Sequence, residues 1–169
     1  DDVFSDPFPF SQTYGLLTAI GGKFPVQVLV GFLPPAGECR EMDEKVGRRN
    51  LMKWAFNPPL TGFTAPKILW VQENEPEVYA RARHILLPKD YIRFKLTGTL
   101  GTDPSDAGGT HLYDRRRGEW RAPLLARIGV SAGKFPPIYP STHVAGGITP
   151  QASAETGLAE GTPVVVGGG

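Results

Sequence analysis

The chain has 169 residues, 18 basic and 17 acidic, for a formal charge of +1; that length suffices for one domain with its own core. The near-neutral balance shows no asymmetry that would favour nucleic acid or an anionic membrane as a partner. The single cysteine, Cys39, excludes an intramolecular disulfide, and the longest apolar run, Val26 to Leu33, contains Gln27 and is far shorter than the roughly 20 residues of a membrane helix. No zinc-ligand spacing occurs, and no basic segment precedes an apolar stretch at the N-terminus. A cytoplasmic location is expected. The 21 glycines and 17 prolines imply many turns and short elements.

Asp1 to Phe10 is acidic, aromatic and proline-rich, and is expected to be irregular. Tyr14 to Ile20 and Pro25 to Phe32 read as two extended runs joined at Gly21-Gly22, a hairpin pattern. Gly37 to Arg49 is predicted as a surface helix, with Cys39, Met42 and Val46 at helical spacing and Glu41, Asp43, Glu44 and Lys45 toward water. Leu51 to Phe56 continues it or starts another.

The most informative stretch is Asn57 to Pro76. Two prolines and Gly62 make a turn, Thr64 is placed as an N-cap, and Pro66 stands in the first turn, where its missing donor is harmless. From Lys67 the pattern is helical, with Ile68, Leu69 and Val71 apolar, and it stops at Asn74-Glu75-Pro76. Pro76 to Arg83 is predicted helical and His84 to Leu87 a short buried strand. Lys89 to Leu96 follows as an amphipathic helix with Tyr91, Ile92, Phe94 and Leu96 apolar and Gly98 as its C-cap.

Strand, turn and helix in succession predict an α/β fold. His111 to Asp114 gives another short strand and Asp114 to Gly118 a charged turn. Trp120, Leu124 and Ile128, at i, i+4 and i+8, suggest one further helix ending at Gly129. Val130 to Pro150 shows no period, Thr149 to Thr156 one or two helical turns, and Gly157 a stop. Thr162 to Val166 is a β-branched run of the kind buried on both faces of a sheet.

Gly62, Thr64, Lys67, Ile68, Trp70, Val71, Glu73 and Asn74 match, at the right spacings, the first signature of the FGGY carbohydrate kinases. With the flanking LTGFTAPK and WVQENEPEVYARARHILLPKDYIRFKLTG, the segment resembles the xylulose-phosphorylating branch of that family. The likeness resumes at Thr110 to Asp114 and closes at Thr156 to Gly169, so it covers most of the chain from about Glu38. It implies a ribonuclease-H-like, actin-like α/β fold, with residues 1–160 in the N-terminal, sugar-binding domain and 161–169 as the first strand of the nucleotide domain. ATP, Mg2+ and a sugar are the implied cofactors and substrate. The family's catalytic Asp follows the glycines of the last strand, so no catalytic residue is expected within the chain. With no initiating Met and a terminus on three glycines, the sequence reads as an internal piece, inactive by itself.

The resemblance also implies site residues. The family's Gln-Met-His-Gly turn, whose side chains face the sugar, stands here as Gln12-Thr13-Tyr14-Gly15. Gly62 and Phe63 lie where related kinases approach their polyol, and Gly167, Gly168 and Gly169 lie next to the nucleotide. A second departure is Gly31-Phe32-Leu33-Pro34-Pro35 in place of Trp-Asn-Asp-Gln-Arg. Both departures fall in the first 36 residues, which are either diverged or read in a damaged frame. Three functions follow from this: a xylulose kinase, a kinase of the same family for another sugar or polyol, and a non-catalytic remnant or binding module.

Other conspicuous residues have plainer readings. Lys67 is expected to be solvated and Trp70 to be core. His84, His111 and His143 read as structural histidines with satisfied hydrogen bonds. Asp103 and Asp106 suggest backbone caps before a metal site, with Ser105 a cap or turn former. Arg115, Arg116 and Arg117 read as a solvated turn tip.

Overall fold

The structure, a computed structural model, describes residues 16–19, 26–29, 36–55 and 58–168. Strand β1 (Leu16–Ala19) pairs antiparallel with β2 (Val26–Leu29), Leu16 opposite Leu29. Strand β2 then runs parallel to β3 (His84–Leu86), Val26 opposite His84, so the sheet order is β1-β2-β3. The two expected extended runs are present as these strands, while the Gly21-Gly22 turn and Gln12, Thr13 and Tyr14 lie outside the described residues.

A parallel pair requires a long crossover, and four helices supply it. Helix α1 (Ala36–Val46) and α2 (Arg48–Ala55), which the sequence pattern runs together, are separated by Gly47, whose φ of 85° only glycine adopts freely. Helix α3 (Thr64–Asn74) and α4 (Pro76–Arg81) follow, divided at Glu75-Pro76 as expected. The N-cap of α3 is Phe63, not Thr64: the Ala65 N–H donates instead to the carbonyl of Thr110 at 3.1 Å. A tertiary partner has replaced the predicted local one.

Helix α5 (Pro88–Thr97) ends on Gly98 in the left-handed region, φ 72°. Helix α6 (Pro104–Gly108) leads to the hairpin of β4 (Tyr113–Asp114) and β5 (Glu119–Trp120), and α7 (Ala122–Arg127) follows. Trp120 therefore belongs to a strand, opposite Tyr113, and not to the helix its i, i+4, i+8 spacing suggested. Its indole N–H donates to the Pro136 carbonyl at 2.8 Å, a bond a helical position would not reach.

Strand β6 (Val144–Gly147), which no sequence period revealed, pairs antiparallel with β7 (Pro163–Val165) around α8 (Pro150–Thr156). Thr149 accepts from the Ala152 N–H and Gly157 closes α8 at φ 78°. Contrary to the expectation of a strand buried on both faces, β7 is half of a two-stranded ribbon whose Val165 is 45% exposed. Its β-branched composition reports strand propensity but not burial.

The core divides across β3. Ile85 joins Met42, Val46, Leu51, Ile68, Leu69, Leu112, Leu124, Leu125 and Ile128 in the main cluster, whereas Leu86 packs with Tyr91, Phe94 and Leu100. Successive strand side chains point to opposite faces, so helices cover both faces of the sheet and the layering is α/β. Trp70, expected in the core, is half-buried and absent from both clusters, because the buried side of α3 is already filled by Ile68, Leu69 and Val71.

Met42 is fully buried in the main cluster. Met42→Ala is expected to lower the unfolding free energy by about 2–5 kcal/mol, read as a shift of the urea midpoint with unchanged slope.

Candidate functional site

Helix α5 departs from its apolar pattern in part: Tyr91, Phe94 and Leu96 are half-buried, but its most buried positions are charged. Ile92 is 59% exposed, whereas Asp90 and Arg93 are 1% and 3% exposed. Their burial is explained by what they bind. The Arg93 guanidinium donates through Nη1 to Asp90 Oδ1 at 3.0 Å and to the Val166 carbonyl at 2.9 Å, and through Nη2 to the Gly101 carbonyl. One turn earlier, Lys89 Nζ lies 2.7 Å from Asp103 Oδ1, 3.2 Å from both Asp90 Oδ1 and Asp106 Oδ2, and 3.0 Å from the same Val166 carbonyl.

Asp103 completes the cluster by accepting the Ser141 hydroxyl at 2.6 Å. Asp103 is thus the N-cap of α6 by position, but its side chain makes no cap bond. Asp103 and Asp106 converge on the Lys89 ammonium, which occupies the place a cation would take between them. Ser105 occupies the second position of α6 and is exposed.

Burial disfavours both charges of the central pair, yet their mutual contacts win. The Lys89 ammonium would be pushed down by desolvation but is held above its ordinary value by Asp103, Asp90 and Asp106. The Asp103 carboxyl would be pushed up by desolvation but is held below its ordinary value by the hydrogen bonds of Lys89 and Ser141 and the Lys89 charge. The Asp103 contribution to stability is therefore present above the usual aspartate range and lost as pH falls through its depressed value. The Lys89 contribution is lost as pH rises through its raised value. The cluster is intact across the neutral range.

Gly167 lies beside this cluster, its N–H donating to the Ser141 carbonyl at 2.8 Å; Gly168 is exposed, and Gly169 lies outside the described residues. Gly62 and Phe63 form a second locality. Gly62 is exposed and its carbonyl accepts from Lys67 Nζ at 3.3 Å, so Lys67 is half-buried and desolvation lowers its pKa. The Phe63 ring stacks on His111 with centroids 3.8 Å apart and 28° between planes. The two localities meet opposite ends of one segment: Asp103 supports the glycine turn through Ser141, while Thr110 and His111 serve Ala65 and Phe63.

A family model described as the FGGY family of carbohydrate kinases, N-terminal domain, matches residues 35–169. The chain belongs to the FGGY family of carbohydrate kinases. It is 44% identical over 131 residues to the xylulose kinase of Bacillus subtilis (strain 168), an alignment covering 78% of this chain and 26% of that protein. Among solved structures it is similar to the "xyloylose kinase" of Brucella ovis at 37% identity and a TM-score of 0.69, covering 78% of this chain and 27% of that one. The xylulose kinase of Rhodospirillum rubrum matches at 26% identity and a TM-score of 0.77, covering 91% and 32%. The fold is accordingly that of the FGGY sugar kinases, the actin-like type, and the chain spans roughly a quarter to a third of the length of these relatives.

The remaining sequence candidates are placed more simply. Within this FGGY domain Arg115, Arg116 and Arg117 are exposed at the β4-β5 turn, where Asp114 Oδ1 accepts the Arg116 and Arg117 N–H groups at 3.0 and 3.3 Å. Arg116 and Arg117 border an open groove of about 330 Å³ with Lys53, Trp54 and Arg121. A cavity of about 10 Å³ between β3 and α5 is far too small for a sugar. His143 is exposed and stacks on Tyr139, and His84 is half-buried with its pKa lowered by desolvation and by Arg83 and Lys134.

His111 departs from expectation. It is buried, but neither ring nitrogen has a hydrogen-bond partner among the described residues, so it is not a satisfied histidine. Its φ of 67° makes it the one non-glycine residue in the left-handed region among those described. Such a backbone persists only where its surroundings impose it, and here the Thr110 hydrogen bonds and the Phe63 stack do so. The sequence gives no sign of this, since Thr-His-Leu reads as ordinary strand.

Burial lowers the His111 pKa to about 4. A histidine depressed in the folded state contributes stability above its ordinary value that is lost as pH falls from about 6.5 toward 4. Acidification through that window is expected to destabilise the protein by on the order of 2 kcal/mol through this residue. His111→Leu should flatten the fall in thermal midpoint between pH 7 and 4.5; an unchanged pH profile in the variant would show that His111 is not its source.

Proposed function

We propose that this chain forms the sugar-facing part of an ATP-dependent kinase that converts D-xylulose to D-xylulose 5-phosphate in the cytoplasm. The observation that carries this reading is the 44% identity to a xylulose kinase over 131 residues, which include the turn and helix at Gly62 to Asn74. In this reading residues 1–160 belong to the sugar-binding domain and 161–169 lead into the nucleotide domain. Gln12, Thr13, Tyr14, Gly62 and Phe63 line the sugar side, and Gly167, Gly168 and Gly169 approach the nucleotide.

In the proposed reaction the sugar's terminal hydroxyl oxygen bonds to the γ-phosphorus of ATP as the bond to the β-phosphate oxygen breaks. ADP leaves, and the hydroxyl proton passes to a carboxylate carried by the segment beyond Gly169. Most of the acceleration in such a transfer comes from positioning and from stabilising charge in a dry cleft. Magnesium, where it accompanies the triphosphate, neutralises its charge. The described residues do not fit a magnesium site of their own, since the Asp90, Asp103 and Asp106 carboxylates all face the Lys89 ammonium.

A second reading within the family has its own support. Thr13 and Tyr14 stand where the sugar-facing turn of xylulose kinases carries Met and His, which favours a different ketose or polyol. No helix among the described residues is long and apolar enough to cross a membrane, which is compatible with either.

The protein expressed from its complete reading frame is expected to release ADP with D-xylulose and to turn over other pentuloses, hexuloses and glycerol more slowly, in a coupled assay. Preference for another member of that panel would establish the second reading, and no turnover with any would refute both. Residues 1–169 alone are expected to show no turnover.

A further inference from the structure

We propose that Lys89 and Arg93 are positioning residues that clamp the exit of β7: by converging on the Val166 carbonyl they fix the Gly167–Gly168 turn, and with it the path of the chain toward the reacting groups. The clamp itself stands on geometry alone. Its catalytic consequence rests on the kinase reading above, in which the proton-accepting carboxylate follows this turn.

Two cationic donors on one backbone carbonyl are an unusual investment. Lys89 Nζ and Arg93 Nη1 reach Val166 O at 3.0 and 2.9 Å, and Val166 is fully buried. Hydrogen bonds from charged donors are shorter and about twice as strong as neutral ones. The same peptide group is held at its other edge, with the Gly167 N–H donating to the Ser141 carbonyl at 2.8 Å, and the preceding one by the Val166 N–H donating to the His143 carbonyl at 2.9 Å. Ser141 is itself fixed through Asp103, the strongest partner of Lys89. A Cβ at Gly167 would lie 2.7 Å from the Ser141 Cβ and 2.8 Å from its carbonyl oxygen, so the two backbones are in contact.

Stability does not explain this arrangement. Lys89 and Arg93 face Asp90, Asp103 and Asp106, with Asp90 and Arg93 almost wholly buried. Buried ion pairs of this kind stabilise no better than well-packed apolar side chains, because desolvation offsets their attraction. What an apolar replacement could not do is direct several donors at one carbonyl oxygen. The side chains of α5 thus hold a chain segment 73 to 77 residues away in one place.

The test uses Lys89→Met, Arg93→Met and the double variant Lys89→Met with Asp103→Asn, which removes both charges of the central pair and protects the fold if Lys89→Met alone is unstable. In each, amide hydrogen exchange at Val166 to Gly168 is expected to accelerate by roughly tenfold or more, with the amides of α3 unchanged. In the protein from the complete reading frame, kcat should fall by about 10- to 100-fold, as for a displacement of about 1 Å, with KM for D-xylulose within about threefold. Lys89→Arg should recover part of both effects. Unchanged exchange at the glycine turn in the double variant would refute the clamp. Faster exchange with unchanged kcat would refute the positioning role and leave the cluster purely structural. Inactivity of the unsubstituted protein would overturn the kinase reading and the catalytic half of the inference, with the exchange result still deciding the clamp.

Discussion

The buried charge cluster on α5 is the interaction on which the C-terminal third of the described chain depends. Asp90 and Arg93 occupy positions that helical amphipathicity reserves for apolar residues, and with Lys89 they gather Gly101, Asp103, Asp106 and Val166 around one helix face. Burying such groups is unfavourable unless each charge is paired and hydrogen-bonded. The surrounding segments are therefore constrained to deliver carbonyls and carboxylates to defined points. Around the same helix lie the short α6, the parallel bridge between Thr102 and Ile138, and strand β6 packed on α5.

The other half of the domain is held by apolar packing. Ile85 and Leu86, adjacent in β3, enter different clusters, so a three-residue strand connects the helical layer of α1, α2, α3 and α7 to the layer of α5. The larger apolar cluster lies on one face, while the other combines the small Leu86 cluster with the buried ions of α5. One side of the sheet supplies cohesion and the other supplies geometry. In a carbohydrate kinase of this family that division is physically sensible, since phosphoryl transfer depends on placement to within about an ångström.

Between these halves runs the segment from Thr102 to Leu112. Its first residues anchor the glycine turn through Asp103, and its last hold the N-terminus of α3 through Thr110 and the strained His111 against Phe63. The two localities named by family resemblance thus share a support, in which the likeness to the family resumes at Thr110.

Much was legible in the sequence, and for local reasons. The helix starts and stops at Pro76, Gly98, Thr149 and Gly157 follow from backbone chemistry acting within a few residues, and the buried faces of α1 and α3 follow from spacing. Family membership was readable from Gly62 to Asn74 because that stretch keeps its residue types at fixed separations. Four features were decided only by tertiary contact: Trp120 in a strand, Trp70 at the edge of the core, β7 as an exposed ribbon, and the buried charges of α5. Two of them turn on a partner distant in sequence: the Pro136 carbonyl for Trp120, and the Val166 carbonyl, with Asp103, for α5. Propensity and periodicity describe what a segment prefers in isolation, and a charged side chain is assigned to water by default. Only the folded chain shows that carbonyl and carboxylate acceptors from distant segments converge on the charged side chains of α5.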